Sequence, residues 1–390
     1  MKTGRIVKVL EDKRRKETLI ECDENRKIII SFYYPIDETW KESRQALYAD
    51  LYSPREDEFI NRFKEMVPLE NDAEKEKFLG SIKTNIYNDA PISKKQVTYP
   101  VIIHSTGLGS PRDYVTFNIE ELVNKGYVVF TIGHIYDSMF TIFPNGQILE
   151  PSKEEYTQEE KENLIDIRKN DILFVLNQLE KLNNEDDVIK NKLDLQRIGT
   201  IGHSLGGAAV FKASQCDSRI KATVLFDASM QFLNLSEDIN EKQRLNTPIL
   251  NFRRGNFNYE ASMTMFIDYL KDKFDDEHFK KQIILYDNIL RDSNREQKAL
   301  FNYLCGYKSF IKLNGTKHMT FTDYSIIKGE KMENETLSVE KSHEVINNIT
   351  IRFLDEFLCG KEKQYSGFIK NNNYITLIDE DGQPIGVANL

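Results

Sequence analysis

Cysteine is scarce in this sequence and is never clustered. Four cysteines occur in 390 residues, and no two of them form a Cys-x-x-Cys pair. No group of His and Cys residues has the spacing that zinc binding requires. We therefore expect reduced thiols rather than disulfides, and we predict neither a metal site nor a cofactor.

Concentrated positive charge and long apolar runs are missing as well. The formal net charge is -9, and no basic stripe with interleaved aromatic residues is present, which argues against nucleic acid as a partner. No apolar run approaches the roughly 20 residues of a transmembrane helix, so any membrane contact would be peripheral.

The N-terminal residues lack the apolar core of a signal peptide. If the mature chain begins at Met1, we expect a cytoplasmic protein; the sequence leaves the oligomeric state open.

Strand-like and helix-like segments alternate along most of the chain. Alternating or continuous apolar patterns predict strands, and apolar residues at helical spacing predict helices. The predicted strands cover residues 4–10, 18–22, 27–34, 98–104, 127–132, 194–201, 222–226, 248–252 and 309–313. Helices are predicted between them, notably at 112–124, 157–182 and 338–358. This alternation indicates an α/β fold with a mostly parallel central sheet flanked by helices.

A single domain with insertions explains the chain best, because glycine and proline never cluster into a linker. We predict one domain over residues 1–390, with a helical insertion at 38–90 and a second, mainly helical insertion at 257–306. Both insertions are candidates for lids over a site at the strand ends. Residues 361–390 form a C-terminal extension, in which an alternating segment followed by a turn sequence suggests a small hairpin.

The sequence Gly-His-Ser-Leu-Gly-Gly at positions 202–207 fits the pattern Gly-x-Ser-x-Gly. A short strand pattern precedes it, and a helical pattern follows it, as in the nucleophile elbow of serine hydrolases. The glycines relieve the crowding that a sharp strand-to-helix turn creates. We predict that Ser204 is a nucleophile; the alternative is a glycine-rich turn with an incidental serine.

A serine nucleophile needs an imidazole base and a carboxylate that orients it. In this kind of fold both follow the serine in the chain, on loops after later strands. His318 follows the last predicted core strand and is the expected base. His278 and His343 lie in strongly charged helical patterns, which we interpret as surface positions. Asp227 directly ends the strand 222–226 and is the expected acid.

The alternatives for the acid are weaker. The strand after Asp227 ends without a nearby carboxylate, and Asp323 lies close to His318 in sequence. Asp227 could instead cap the segment that follows it. We keep Asp227 as the expected acid and Asp323 as a weak alternative.

An oxyanion hole requires two amide donors. The first is expected from Leu205, directly after the nucleophile. The second is expected from Leu108 in the sequence Thr-Gly-Leu-Gly at 106–109, whose glycines free the backbone to turn its amides inward. A glycine-rich turn without a ligand contact is the alternative for this loop.

These segments resemble the plasma-type, or type II, platelet-activating factor acetylhydrolases and their bacterial relatives. Residues 107–109 are similar to that family's Gly-Leu-Gly loop, and residues 202–207 are similar to its Gly-His-Ser-Phe-Gly-Gly elbow. The segment Leu-Phe-Asp-Ala-Ser-Met at 225–230 resembles its Leu-Asp-Ala-Trp-Met. The resemblance implies an α/β-hydrolase fold, with Ser204 as nucleophile, Asp227 as acid and His318 as base.

Two positions depart from the family pattern. Thr106 stands where the family has histidine, and Ser229 stands where it has tryptophan. Both changes bear on acetyl specificity, and we regard the two residues as weak candidate substrate contacts. His134, which ends a strand near the same edge, is a third; for it and for His104, a satisfied loop histidine is the favoured interpretation.

The sequence therefore predicts a serine-dependent carboxylic ester hydrolase that acts through an acyl-enzyme intermediate. A small or lipid-like ester is the expected substrate, including short-acyl and phospholipid-like esters. Acyl transfer or amide hydrolysis on the same triad is an alternative. From a different class, a non-catalytic binding protein on a hydrolase scaffold would be expected to lack a member of the triad, and none is missing.

Overall fold

The computed structural model describes residues 1–41, 44–236, 244–255, 259–270, 276–329 and 337–385. Parts of the predicted insertions and of the C-terminal extension, at 42–43, 257–258, 271–275 and 386–390, lie outside the described residues. The helices are α1 Glu56–Phe63, α2 Asp72–Leu79, α3 Thr116–Asn124, α4 Gln158–Glu185, α5 Leu205–Cys216, α6 Tyr259–Leu270, α7 Asp276–Tyr303, α8 Tyr324–Lys328 and α9 Val339–Phe357. The strands are β1 Lys2–Lys16, β2 Asn25–Ile36, β3 Ile86–Asn88, β4 Tyr99–Ser105, β5 Val128–Gly133, β6 Thr141–Ile142, β7 Ile148–Leu149, β8 Leu193–His203, β9 Ile220–Phe226, β10 Ile249–Arg254, β11 Lys308–Leu313 and β12 Ile375–Leu377.

One large sheet organises the fold, with the strand order β12-β11-β10-β9-β8-β4-β5-β2-β1-β3. The strands from β5 to β11 in this order are parallel to one another. The hairpin of β1 and β2 adds to one side in antiparallel fashion, and β12 does so at the other. Strands such as β4 are buried along their whole length, as parallel strands covered on both faces are. The predicted α/β fold with a mostly parallel sheet is confirmed.

Helices cover both faces of this sheet. On one face, α4 and α5 bury apolar side chains such as Ile172 and Val210 against the strands. On the other, α3 and α9 bury side chains such as Leu122 and Phe353. The helix α4 begins with a capping box, in which Thr157 and Glu160 bind each other's backbone amides. Because the central strands are parallel, their carboxyl ends lie at the same edge of the sheet, where a site can form.

The predicted strand at 18–22 is wrong, because this segment lies in the turn between β1 and β2. Glu17 accounts for the turn: its Oε1 accepts hydrogen bonds from the amides of Thr18 and Leu19, at 2.8 and 2.9 Å. A carboxylate that binds the following amides competes with strand pairing. Sequence reasoning also missed the short antiparallel pair of β6 and β7.

The insertion at 38–90 contains α1 and α2, but it is not wholly helical. It ends with β3, which pairs in parallel with β1 at the sheet edge. Its aromatic side chains pack within the core: the ring of Phe59 stacks on Tyr52 with centroids 4.8 Å apart and also contacts Tyr48 and Phe63. All four side chains are buried. These contacts make the segment part of the core beside α3.

The C-terminal extension completes the opposite sheet edge. After β12, the carboxylate of Asp379 accepts hydrogen bonds from the amides of Asp381 and Gln383. An isolated bridge between Ile378 and Pro384 closes this turn. Within the described part of the chain, no helix combines the length and the apolar character needed to cross a bilayer.

Because Phe59 is fully buried in the aromatic cluster, we expect Phe59→Ala to lower the free energy of unfolding by about 3–5 kcal/mol. Urea denaturation followed by far-UV circular dichroism measures this. Leu69, 40% exposed in the same insertion, is the control, and Leu69→Ala should change stability by less than about 0.5 kcal/mol. A separate early transition for Phe59→Ala would show that the insertion unfolds on its own.

Candidate active site

Ser204 occupies the sharp turn between β8 and α5. Its backbone has φ 53° and ψ −123°, a region that costs a non-glycine residue about 1–3 kcal/mol. The Ser204 amide donates to the carbonyl oxygen of Phe226 at 3.0 Å, and the Ser204 carbonyl accepts from the amide of Ser229 at 3.0 Å. The turn is thus tied on both sides to the end of β9, and it presents the half-buried hydroxyl at the carboxyl edge of the sheet.

Three glycines around Ser204 allow close packing of the turn. A Cβ atom on Gly202 would overlap the carbonyl oxygen of Gly206, and one on Gly206 would overlap carbonyl oxygens at the end of β4. A Cβ atom on Gly207 would lie 2.5 Å from the Cβ of Ala228. Each glycine therefore stands where a side chain would push α5 away from the neighbouring strand ends.

His318 and Asp227 are directly hydrogen-bonded. His318 begins a short 3-10 helix after β11, and its Nδ1 lies 2.6 Å from Oδ2 of Asp227. Asp227 follows β9 with φ 43°, and its amide donates to the carbonyl oxygen of Phe252 at 2.9 Å. Because an ionised carboxylate only accepts, Nδ1 carries the proton. The Nε2 atom of His318 is then the tautomeric position that can take a proton from a nucleophile.

The environment of Asp227 keeps its carboxylate ionised. Burial raises the pKa of Asp227, but the hydrogen bond from His318 and the charges of Arg254 and Arg253 more than reverse this, so the pKa lies well below its usual range. The Nε atoms of Arg253 and Arg254 are each 3.5 Å from a carboxylate oxygen of Asp227. The negative charge that would stabilise a protonated His318 is therefore present at neutral pH.

Two further histidines hold the segment that carries His318. His203 Nε2 donates to the carbonyl oxygen of His318, and His343 Nε2 donates to that of Thr320, each at 3.0 Å. Burial lowers the pKa of His203 well below 6.5 and that of His343 to about 4. Our interpretation of His343 as a surface residue is wrong: it is buried against α3 and the His318 segment, whereas His278 is exposed.

The hydroxyl of Ser204 hydrogen-bonds to another serine. Its Oγ lies 3.1 Å from Oγ of Ser229, and among the described residues this is the hydrogen bond that the side chain makes. Ser229 lies with Asp227 and His318 on the wall of a cavity of about 180 Å³. Catalytic hydrogen bonds are often formed only when substrate is bound. Among the described hydrogen bonds of the Ser204 hydroxyl, none goes to His318.

Leu205 follows Ser204 directly at the start of α5, and Leu108 follows Gly107 in the loop after β4. Within the described part of the chain neither amide donates a hydrogen bond to the protein. The loop of Leu108 approaches Ser204 closely: a Cβ atom on Gly107 would lie 3.2 Å from the Cβ of Ser204 and 3.0 Å from Nδ1 of His203. Glycine at 107 permits this approach. The two amides are thus candidate donors to an oxyanion, as the sequence predicts.

Thr106 and His134, two of the weak candidate substrate contacts, have partners within the protein. Thr106 is buried, and its hydroxyl donates to the carbonyl oxygen of Ser110 at 3.2 Å. His134 is buried between Ser105 Oγ, 2.9 Å from Nε2, and Asp171, 3.0 Å from Nδ1. Since both ring nitrogens of His134 are engaged, we leave it out of the proposed substrate site.

His104 behaves differently from His134. It is fully buried in β4, and no described residue forms a hydrogen bond with either ring nitrogen. Burial lowers the pKa of His104 to about 3. The expectation of a satisfied loop histidine is therefore wrong for His104, which is a neutral ring inside the core.

Asp323, the alternative acid, faces away from the imidazole. Its carboxylate accepts hydrogen bonds from the amides of Thr116 and Phe117, at 2.6 and 3.1 Å, and from the hydroxyl of Tyr48 at 2.8 Å. Burial raises the pKa of Asp323 to about 6, although these hydrogen bonds oppose the change. Asp323 thus ties the start of α3 to the insertion, and Asp227 is the carboxylate bonded to His318.

Sequence reasoning missed Arg168 of α4. Its guanidinium is buried, binds the carboxylate of Asp137 and donates to the carbonyl oxygen of Thr106 at 2.6 Å. A signal was available: Arg168 lies four residues after Leu164 and four before Ile172, on the buried face of the helix. A charged residue on an apolar helix face needs a buried partner.

The sheet, the strand-turn-helix elbow and the acid and histidine at later strand ends define an α/β-hydrolase. A solved ferulic acid esterase from Streptomyces cinnamoneus is similar in fold, with a TM-score of 0.69 over 97% of this chain and 96% of that one, at 20% identity. The family described as platelet-activating factor acetylhydrolase, isoform II, matches residues 16–381. The chain belongs to this family, and the resemblance noted from the sequence is confirmed.

Individual relatives of this chain carry names that match the family description. A platelet-activating factor acetylhydrolase of Gallus gallus is 21% identical over 73% of this chain and 68% of its own length. That of Cavia porcellus is 24% identical over 73% of this chain and 63% of its own. A probable 1-alkyl-2-acetylglycerophosphocholine esterase of Arthroderma benhamiae is 30% identical over 132 residues, and the match spans only 32% of that protein. Family membership supports a hydrolase.

If Asp227 orients His318, Asp227→Asn should lower kcat/KM for a p-nitrophenyl ester by about 10³- to 10⁴-fold, because an amide favours the wrong imidazole tautomer. Asp323→Asn is the matched control, and we expect it to stay within about tenfold of the wild type because its carboxylate contacts α3 instead. Circular dichroism checks that both variants fold. Full activity of Asp227→Asn with an inactive, folded Asp323→Asn would reverse the assignment.

Proposed function

We propose that this protein is a serine-dependent carboxylic ester hydrolase that acts through an acyl-enzyme intermediate. The observation that carries the proposal is the 2.6 Å hydrogen bond between His318 Nδ1 and Asp227 Oδ2, next to a serine held at φ 53° in an elbow. Membership in the acetylhydrolase family supports the same chemistry.

In the proposed reaction, Ser204 Oγ attacks the carbonyl carbon of the ester while His318 Nε2 takes the hydroxyl proton. The carbonyl oxygen becomes an oxyanion, which the amides of Leu108 and Leu205 stabilise. His318 then gives its proton to the leaving alcohol as the ester C–O bond breaks. Water then attacks the acyl carbon while His318 takes its proton; the bond from that carbon to Ser204 Oγ breaks, His318 returns the proton to Oγ, and the acid is released.

The contact between Ser204 and Ser229 has a role at the start of this sequence. Before attack, Ser204 must exchange the hydroxyl of Ser229 for the imidazole of His318. A neutral hydrogen bond contributes only about 0.5–1.5 kcal/mol net, so the exchange is a small part of a typical activation barrier. Ser229 thus holds the nucleophile in a resting position beside the cavity.

The cavity next to the triad suits a short-acyl or phospholipid-like ester. Apolar side chains of α7 and guanidinium groups of β10 share its wall, which can contact an acyl or alkyl chain and an anionic group respectively. The lining residues are Asp227, Ala228, Ser229, Gln231, Arg253, Arg254, Tyr286, Ile289, Leu290, Ser293 and His318. We propose that the insertion at 257–306, which supplies α7, shapes the substrate pocket.

A larger cavity of about 610 Å³ lies between α7 and the turn after β12. Neither Ser204 nor His318 lines it, so the reacting ester is not placed there.

The non-catalytic alternative would lack a member of the triad, whereas serine, histidine and aspartate all stand at the strand ends of the sheet.

A fluorophosphonate probe should label the wild type at Ser204, because it reacts with activated serine hydroxyls. Ser204→Ala should abolish the label, as judged by mass spectrometry of the labelled peptide. Ser229→Ala is the control, since it removes the nearest hydroxyl, 3.1 Å away, and should keep the label. A label that survives in Ser204→Ala would place the nucleophile elsewhere.

A series of p-nitrophenyl esters of increasing acyl length tests the pocket. We expect kcat/KM to be highest for short acyl chains, because each methylene in a fitted pocket changes the barrier by about 1–3 kcal/mol. Kinetics at a fixed detergent concentration below micelle formation measure the profile. A flat profile would contradict a defined acyl pocket.

A further inference from the structure

The loop that carries Leu108 is supported from within the protein by a buried guanidinium. Arg168 is only 1% exposed. Its Nη1 donates to the carbonyl oxygen of Thr106 at 2.6 Å, and its Nη2 lies 3.4 Å from that of Gly107. Its Nε and Nη2 donate to the two carboxylate oxygens of Asp137, at 2.6 and 2.8 Å. One guanidinium thus joins a buried carboxylate to two successive carbonyls of the loop.

We propose that Arg168 and Asp137 are positioning residues that aim the Leu108 amide at the oxyanion. The inference rests on the proposed function, in which this amide is an oxyanion donor. The carbonyl of Gly107 and the N–H of Leu108 belong to one trans peptide, so they point in opposite directions. With the Gly107 carbonyl held by Arg168 and by the Ser110 amide at 3.1 Å, the Leu108 N–H points away from the guanidinium.

Asp137 fixes the other side of the same loop. Its backbone carbonyl accepts a hydrogen bond from the amide of Gly109 at 3.0 Å, while its side chain holds Arg168. The amide of Met139 donates to the carbonyl oxygen of Gly109, also at 3.0 Å. The peptides before and after Leu108 are therefore both held, and the Leu108 amide between them has little freedom to turn.

Arginine suits this task better than lysine. The planar fork of a guanidinium can bind a carboxylate through two donors and still present donors to other acceptors. A lysine at 168 would keep the positive charge for Asp137 but would offer a single nitrogen. An oxyanion hole is effective because its donors are fixed before the reaction, so a small displacement of an amide costs rate.

The test compares two buried arginines. Arg168→Lys should lower kcat for p-nitrophenyl ester hydrolysis by about 10- to 100-fold with KM changed less than about threefold, because the lost interaction belongs to the transition state. Arg26→Lys is the matched control: Arg26 is 2% exposed and pairs with Asp171 and Glu17. It makes no hydrogen bond to residues 106–109 among its described contacts, so kcat should stay within about threefold.

A trifluoromethyl ketone, which forms a tetrahedral adduct bearing an oxyanion, provides the second measurement. Its Ki should rise for Arg168→Lys in proportion to the loss of kcat/KM and stay unchanged for Arg26→Lys. If Arg168→Lys does not fold, Asp137→Asn, which keeps one acceptor for Arg168, should show a smaller loss of kcat with the same unchanged KM.

This inference would be overturned by an unchanged kcat in folded Arg168→Lys, or by equal losses of kcat in Arg168→Lys and Arg26→Lys. In either case, Ser204-dependent turnover of the wild type would leave the proposed function intact. Wild-type protein without Ser204-dependent turnover would overturn the proposed function and this inference together.

Discussion

The strained turn at Ser204 is the constraint on which the rest of the site depends. A backbone at φ 53° is unfavourable by about 1–3 kcal/mol for serine, and the surroundings must offset this. On the β9 side, the hydrogen bonds of Ser204 to Phe226 and from Ser229 stabilise the turn. On the opposite side, close packing of Gly206 against the end of β4 stabilises it. Ser204, the proposed nucleophile, is thereby fixed to the two strands whose following loops carry Asp227 and Leu108.

The ionisable groups around this turn fall into two kinds. Asp227 is buried but paired, and its lowered pKa means that it stabilises the fold above its ordinary pKa, a contribution lost as the pH falls through its folded value. His343 is buried and neutral, with its pKa lowered to about 4. When unfolded it gains a proton below its ordinary pKa of about 6.5, so its contribution to stability also falls as the pH falls. Lowering the pH therefore reduces the free energy of unfolding through both Asp227 and His343.

The sequence predicted what depends on local pattern and chain order. The elbow at 202–207 has a local signature, and Asp227 and His318 follow from their places directly after strands. What depends on pairing between distant segments was missed or wrong. Arg168 binds a loop that lies 62 positions earlier in the chain. The charged neighbours of His343 in the sequence predicted a surface position, but the residue is buried and its ring donates to the carbonyl oxygen of Thr320. Burial of a polar group is decided by such partners, which a single sequence does not reveal.

In the proposed mechanism, position 229 links the resting state of Ser204 to the choice of substrate. The family pattern has tryptophan there, whereas this chain has a serine whose side chain lies on the wall of the cavity beside His318. Replacing an indole by a hydroxymethyl group leaves more room on that wall of the proposed substrate pocket. It also supplies a hydroxyl that tryptophan lacks, and this hydroxyl is the partner of Ser204 at 3.1 Å. In the proposed mechanism, a substrate that fills the cavity at Ser229 would displace this partner and so favour the turn of Ser204 towards His318, coupling occupation of the proposed pocket to activation of Ser204.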